Sequence, residues 1–194
     1  VFDLNKIKQK QAQDHLDSVL LSKHAQSVFK NVSNVEKDLV IPGINQMAWI
    51  QTDVSFNTFD IIAYLSQKEP IKQIYASTYS ISRKAIEKII YLHDTGKIEQ
   101  LTLLISDSMI KRNPTTIDNL MAMKSSRANL QVKFAWVHAK VNLIETHDNY
   151  YVLEGSGNWS ENAHYEQYVF INSKEVYDFR KQLFTNVKQK VYES

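Results

Sequence analysis

The chain has 194 residues, of which 43% are hydrophobic and 23% charged, with a formal net charge of +2. That length supports one substantial core in a single globular domain, and the near-balance of charge excludes the strongly basic footprint of a protein that binds nucleic acid over its whole surface. The absence of cysteine excludes disulfides and thiolate metal sites and fits a cytoplasmic protein. No apolar run reaches the length of a membrane span, the purest, Leu101 to Ile105, being strand-sized, and the first residues carry no signal-peptide pattern.

Residues 5 to 30 contain neither Gly nor Pro, and Ala12, Leu16, Val19 and Leu20 form a partial helical stripe. The spacing predicts an N-terminal helix, too short for a sustained coiled coil. Met47 to Ile50 then reads as a strand, Phe59 to Leu65 as a helix and, after the break at Pro70, Ile71 to Tyr75 as a second strand. Ser82 is placed to cap a helix that carries Ile86, Ile89 and Ile90 at helical spacing and ends at Gly96. Leu101 to Ile105 is the next strand. Asn113 and Pro114 mark the start of a helix with Ile117, Leu120 and Met121 on its buried face.

Leu130, Val132, Phe134 and Trp136 alternate as a strand, and the apolar phase shifts by one residue at Val137 to Ala139. A bend there would bring His138 to the sheet edge. Glu166 to Ile171 reads as a further strand and Lys174 to Val191 as a closing helix with Val176, Phe179, Leu183, Phe184 and Val187 on one face. Alternating strands and helices predict an α/β sandwich, a mixed sheet flanked by helices.

The chemistry concentrates between His138 and Glu166. Residues two apart on a strand share a face, so His138, Lys140 and Asn142 fall on one side and Ala139, Val141 and Leu143 on the other. Tyr150 to Leu153 reads as the partner strand, joined by the polar turn Thr146-His147-Asp148-Asn149, with Glu145 opposite Tyr150. That register, continued, sets Lys140 opposite Gly155 and His138 opposite Gly157, with Ser156 and Asn158 beside them. Gly155 and Gly157 are two of four glycines in the chain. They fit either a cradle whose backbone N–H groups approach a phosphate or a bulged hairpin with His138 and Lys140 at a solvated edge, and parity does not choose.

The pattern H-x-K-x4-acid, then G-S-x-N and a later Glu, resembles the signature of the phospholipase D superfamily. It is carried here by His138, Lys140, Glu145, Gly155, Ser156, Asn158 and Glu166. One copy is present, and roughly residues 40 to 190 have the length and element order of one phospholipase D-like domain, similar to the bacterial single-motif endonucleases that pair two copies by homodimerisation. The resemblance divides the chain into a helical extension over 1–38 and a phospholipase D-like domain over 39–194. It implies that His138 attacks phosphorus to give a phosphohistidine while the same residue of a second copy protonates the leaving group. Lys140, Asn158 and Ser156 would hold the non-bridging oxygens, with Gly155 and Gly157 lining the substrate, and Glu166 would orient a catalytic His. The sequence departs from the family at Glu145, where Asp is usual, and in a longer hairpin between the motif halves. Parity puts Glu145 on the face away from His138 and Lys140, a structural place at the strand end.

This scheme calls for no metal or cofactor. His147 and His164 read as polar loop residues, His15, His24 and His93 as ordinary surface or helix positions, and no zinc-ligand spacing is present. There is no P-loop or dinucleotide-binding motif, and Ser156 has Glu154 where a nucleophile elbow needs Gly. Lys111, Arg112, Lys124, Arg127 and Lys133 are either a track for a nucleic-acid backbone or a solvated charged face. The expectation is a homodimeric phosphodiesterase that cleaves DNA or RNA. A non-catalytic nucleic-acid-binding protein and a phosphatidyl-transfer enzyme are the alternatives.

Overall fold

The computed structural model describes residues 26–54, 57–160 and 164–192. In chain order the elements are β1 (Gln26–Val32), α1 (Val35–Asp38), β2 (Gln46–Thr52), α2 (Thr58–Lys68), β3 (Ile71–Thr78), α3 (Arg83–Asp94) and β4 (Ile98–Ser106). There follow α4 (Ser108–Arg112), α5 (Pro114–Ser125), β5 (Leu130–Ala135), β6 (Val141–Glu145), β7 (Tyr150–Gly155), β8 (Gln167–Asn172) and α6 (Lys174–Asn186). The strands form one mixed sheet in the order β1-β2-β8-β7-β6-β3-β4-β5. β3, β4 and β5 are parallel, β6 runs antiparallel to β3, and the β6–β7–β8–β2 run is antiparallel throughout. This is the expected α/β sandwich with helices on both faces.

Local chemistry sets the helix starts. Asn57 accepts from the Phe59 N–H at 2.7 Å while Asp60 accepts from the Asn57 N–H at 3.1 Å, a capping box at the head of α2. Ser82 Oγ accepts from Ala85 N–H at the start of α3, and Gly96, at φ +73°, follows its end. Pro114 opens α5 as expected, but the Asn113 side chain makes no capping bond.

The two faces of the sheet are unequal. Helices α2, α3 and α5 bring Ile61, Ile62, Leu65, Ile86, Ile89, Ile117 and Leu120 onto a core with Ile74, Leu103, Ile144, Leu153 and Phe170. On the other face α6 packs Tyr177 and Phe184 against Leu104, Val141, Leu143 and Val152. β6 therefore alternates as a strand buried on both sides, with Val141 and Leu143 towards α6 and Asn142 and Ile144 towards the thicker layer.

Several expectations need correction. The helix expected over residues 5 to 30 lies mostly outside the described residues, but its last five belong to β1. That strand pairs in parallel with β2, so the span read as a helical extension supplies an edge strand of the sheet. Pairing with a neighbour overrides the weak local signal of Gln26 to Lys30. The short helix α4 was not foreseen. In α6, Phe179 is 62% exposed and Tyr177 is the buried anchor. Two residues of helix turn the chain by about 200°, so Phe179 points away from the face that Tyr177 and Phe184 define.

The largest departure concerns the motif strand. β5 ends at Ala135, and residues 136–140 leave it, pass the ends of β4 and β3, and enter the sheet again as β6 on the far side of β3. His138 and Lys140 stand on this crossing segment, not within a strand. The hairpin register is as expected, with Glu145 opposite Tyr150 and Val141 opposite Glu154.

Candidate active site

The C-terminal ends of β3, β4, β5 and β7 and the N-terminal ends of β6 and β8 meet along one edge, the place where open α/β sheets present their loops to ligands. The crossing segment is fastened there by its backbone: Ser77 Oγ donates to Ala139 O at 2.9 Å and Gly155 N–H donates to Lys140 O at 3.3 Å. The second bond continues the predicted Lys140–Gly155 pairing one step past the ladder. His138 has no such pairing with Gly157, because the chain has already turned across β3.

The His138 side chain is exposed and packs its ring on Tyr79, with centroids 4.7 Å apart and planes at 47°. Lys140 Nζ lies 3.3 Å from His138 Nδ1 and donates to His138 O at 3.0 Å. An ammonium can only donate, so Nδ1 is the accepting nitrogen in this arrangement and the neutral ring carries its proton on Nε2. Partial burial pushes the Lys140 ammonium below the usual lysine pKa, and the negative charge of Glu166 opposes that shift.

Glu166 accepts a short hydrogen bond from Ser156 Oγ. Its backbone is locked to β2, donating to Thr52 Oγ1 at 3.0 Å and accepting from Thr52 N–H at 2.9 Å. Asn158 Oδ1 accepts from Ser80 N–H at 3.3 Å and from Thr78 Oγ1 at 3.4 Å, which fixes the orientation of the amide. Beneath them Trp159 is fully buried and donates from Nε1 to Asn142 Oδ1 at 2.8 Å. Asn142, placed by parity on the cleft side, is thus a buried brace under the site. A cavity of about 700 Å³ opens beside Lys140 on the α6 face, lined also by Trp49, Gln51, Glu154, Gln167 and Val169.

The motif residues separate into two groups. His138, Lys140, Ser156, Asn158 and Glu166 gather at one edge. Glu145 is at the opposite end of β6, where it accepts from Tyr177 Oη at 3.3 Å, so it anchors α6 and touches none of the others. The glycines have a protein cause: a Cβ on Gly155 would stand 2.1 Å from Gln167 O, and one on Gly157 would stand 2.0 Å from the Tyr168 hydroxyl. The Gly155 and Ser156 N–H groups are already engaged, by Lys140 O and Gln167 O, and so are not phosphate donors here.

Of the basic residues considered as a nucleic-acid track, Arg112 alone is placed at the His138 platform, its Cζ 4.5 Å from the Tyr79 ring centre and Nη2 donating to Tyr79 O. Arg127 forms a paired hydrogen bond with Asp94 and holds that carboxyl down at about 2. Lys133 donates to Phe184 O at 2.9 Å. Sequence reasoning missed Tyr79 together with Thr78 and Ser80. The signal for them was position: Thr-Tyr-Ser follows a strand of a strand–helix–strand unit, at the end where ligands bind.

No protein-family model matches the sequence, and no curated protein matches it. Among solved structures, the polyphosphate kinase of Porphyromonas gingivalis aligns with 76% of the chain at a TM-score of 0.55 and 15% identity. The phosphatidylserine synthase of Haemophilus influenzae Rd KW20 aligns with 79% at a TM-score of 0.50 and 13% identity. The chain spans 27% of the first protein and 42% of the second. At these identities the likeness concerns the fold: the chain shares the mixed α/β sandwich of these two proteins, which is the phospholipase D-like fold expected from the motif.

Proposed function

We propose that the chain is a phosphodiesterase that cleaves nucleic acid through a phosphohistidine, with two copies completing one site. The observation that carries this reading is the convergence of an exposed imidazole, a partly desolvated ammonium and the Ser156–Glu166 pair at one sheet edge.

A phosphodiester resists attack because its anionic oxygens repel nucleophiles. In the proposed reaction an anionic oxygen draws Lys140 off His138 Nδ1, and the imidazole becomes free to move its proton from Nε2 to Nδ1. Nε2 then attacks phosphorus, the P–N bond forms and the P–O bond to the leaving alcohol breaks. The departing oxygen takes a proton from the equivalent histidine of a second copy. Water, deprotonated by that same imidazole, then attacks phosphorus and breaks the P–N bond, which restores both histidines. Lys140, Asn158 and Ser156 stabilise the charge on the non-bridging oxygens. Glu166, whose charge reaches Lys140, is the acceptor for the proton-bearing Nδ1 of a catalytic imidazole in this scheme.

The test is cleavage of labelled DNA and RNA in excess EDTA by the wild-type chain, by His138→Ala and by mixtures of the two. Turnover is expected to fall about 10³-fold or more in the variant, and mixing is expected to lower it further than dilution does. No turnover of any diester by dimeric wild-type protein would remove the reading.

A second reading, phosphatidyl transfer, is favoured by two observations: the cavity beside Lys140 has Trp49 and Val169 in its wall, and one structural neighbour is a phosphatidylserine synthase. Headgroup release from vesicles, with nucleic acid left intact, would support it.

A further inference from the structure

Two large aromatic side chains stand almost wholly in water at the same sheet edge as the site. Trp136, the first residue beyond β5, is 88% exposed, and Tyr165, next to Glu166, is 83% exposed. Isolated surface aromatics need no explanation, but these two lie on either side of the reactive groups in the strand order, one beyond β5 and one ahead of β8. Trp136 is two residues from His138, so their Cα atoms are within about 7 Å. Tyr165 has φ +64°, a left-handed conformation that is an outlier for a bulky side chain. Between them Tyr79 carries the Arg112 guanidinium and the His138 ring. It steadies those groups, and Arg112 adds a cation to the platform on which His138 packs.

We propose that Trp136 and Tyr165 are stacking platforms for bases of a single-stranded nucleic acid whose scissile phosphate lies at His138 and Lys140; this rests on the nucleic-acid reading above. Rings alternating with cations along an edge are how sequence-tolerant proteins hold single strands, since every base has a π-face and every linkage a charge. A duplex covers its base faces by stacking, so it offers the two rings nothing without first opening. A membrane surface fits less well, because the rings are set apart by charged and polar groups and do not form one apolar face.

The experiment compares a labelled single-stranded 20-mer, the same sequence as a duplex, and a small chromogenic phosphodiester. The proteins are the wild-type full chain, Trp136→Ala, Trp136→Phe and Tyr165→Ala, each checked for folding by circular dichroism and melting. The single strand is expected to be the preferred polymer. Trp136→Ala should raise KM for it by about 5-fold or more, the size of one lost stacked base, and Trp136→Phe should recover most of that loss. Quenching of tryptophan fluorescence by an unlabelled oligonucleotide should vanish with Trp136.

Equal cleavage of single strand and duplex, or a wild-type KM in both alanine variants, would overturn the inference while the nuclease reading stood. A wild-type protein that hydrolyses the small diester but neither polymer would remove the nucleic-acid reading and the inference with it. A fluorescence change on phosphatidylglycerol vesicles but not on the oligonucleotide would reassign the rings to a lipid surface.

Discussion

The β6–β7 hairpin has a polar cluster at each end, and the two are built differently. At the turn end, Asn172 donates to Pro42 O at 3.2 Å and Asn149 Oδ1 at 2.8 Å and accepts from Tyr150 N–H, Asn149 and Tyr151 both donate to Glu69, and Tyr177 donates to Glu145. Burial, reinforced by the neighbouring carboxylates Glu69 and Glu145, pushes the Tyr151 and Tyr177 hydroxyls up. At the open end, His138 is exposed, the ammonium of Lys140 is held near a ring nitrogen it can leave, and Glu166 is joined to a serine hydroxyl that can rotate. Polar groups matched to fixed partners brace a fold; the same kinds of groups set against exposed, exchangeable partners are equipped for a ligand.

The comparison can be broken most directly at Lys140. Lys140→Ala should lower kcat/KM by about 10²- to 10³-fold, with the melting temperature held within a few degrees. Because burial depresses the Lys140 pKa, its charge is lost as pH rises through a value below the ordinary lysine range, so activity should fall at that pH and not later. Lys140→Arg should remove that alkaline limb. The same shift works against the fold at neutral pH, where the charged form is favoured in the unfolded chain, and this penalty lessens as pH rises through the folded pKa. A limb at the ordinary lysine value would show that Lys140 is solvated.

Stability should respond elsewhere. Gly155→Ala drives a Cβ into the Gln167 carbonyl and should cost about 3 kcal/mol, with activity lost as β7 and β8 separate. Asn172→Ala, at the braced end, should cost about 2 kcal/mol by denaturant titration, since it strands the partners of a buried amide. Protein that remains folded should cleave at the wild-type rate. The smallest effect is expected from Glu145→Asp, which installs the acid usual in the motif that this sequence resembles: under about 1 kcal/mol, with kcat unchanged. A tenfold change in kcat there would mean the two ends are coupled.

The sequence was informative where the determinants are local. The polar turn Thr146 to Asn149 set the hairpin register, and parity alone placed Glu145 on the far face, where Tyr177 meets it. Between Val137 and Lys140 it was informative only in part: the shift of apolar phase announced a bend at His138, but without Gly or Pro the alternation before and after reads as one bent strand, and only pairing with β3 and β7 reveals that there are two. Tyr79 had a positional signal at the end of β3, but its contact with His138 did not, because the two are 59 residues apart and only the pairing of β3 with β6 brings them together. Gly155 and Gly157 were singled out correctly as places of close approach, but what approaches is β8 and the Tyr168 ring. The end of α6 and the strand β1 were set by tertiary packing that propensity does not record.

The position of β3 beside β6 has a consequence for how the site comes into being. The hairpin with its His, Lys and Ser can form from about twenty neighbouring residues, yet Asn158 is oriented by Thr78 and Ser80, and Trp159 N–H donates to Thr78 Oγ1 across 81 positions. Closing that long loop is an entropic hurdle that no local contact offsets until β3 and β6 pair. An excised motif peptide would therefore contain the signature residues without the arrangement, and reactivity of the imidazole towards phosphate should appear during refolding together with the slow, non-local step.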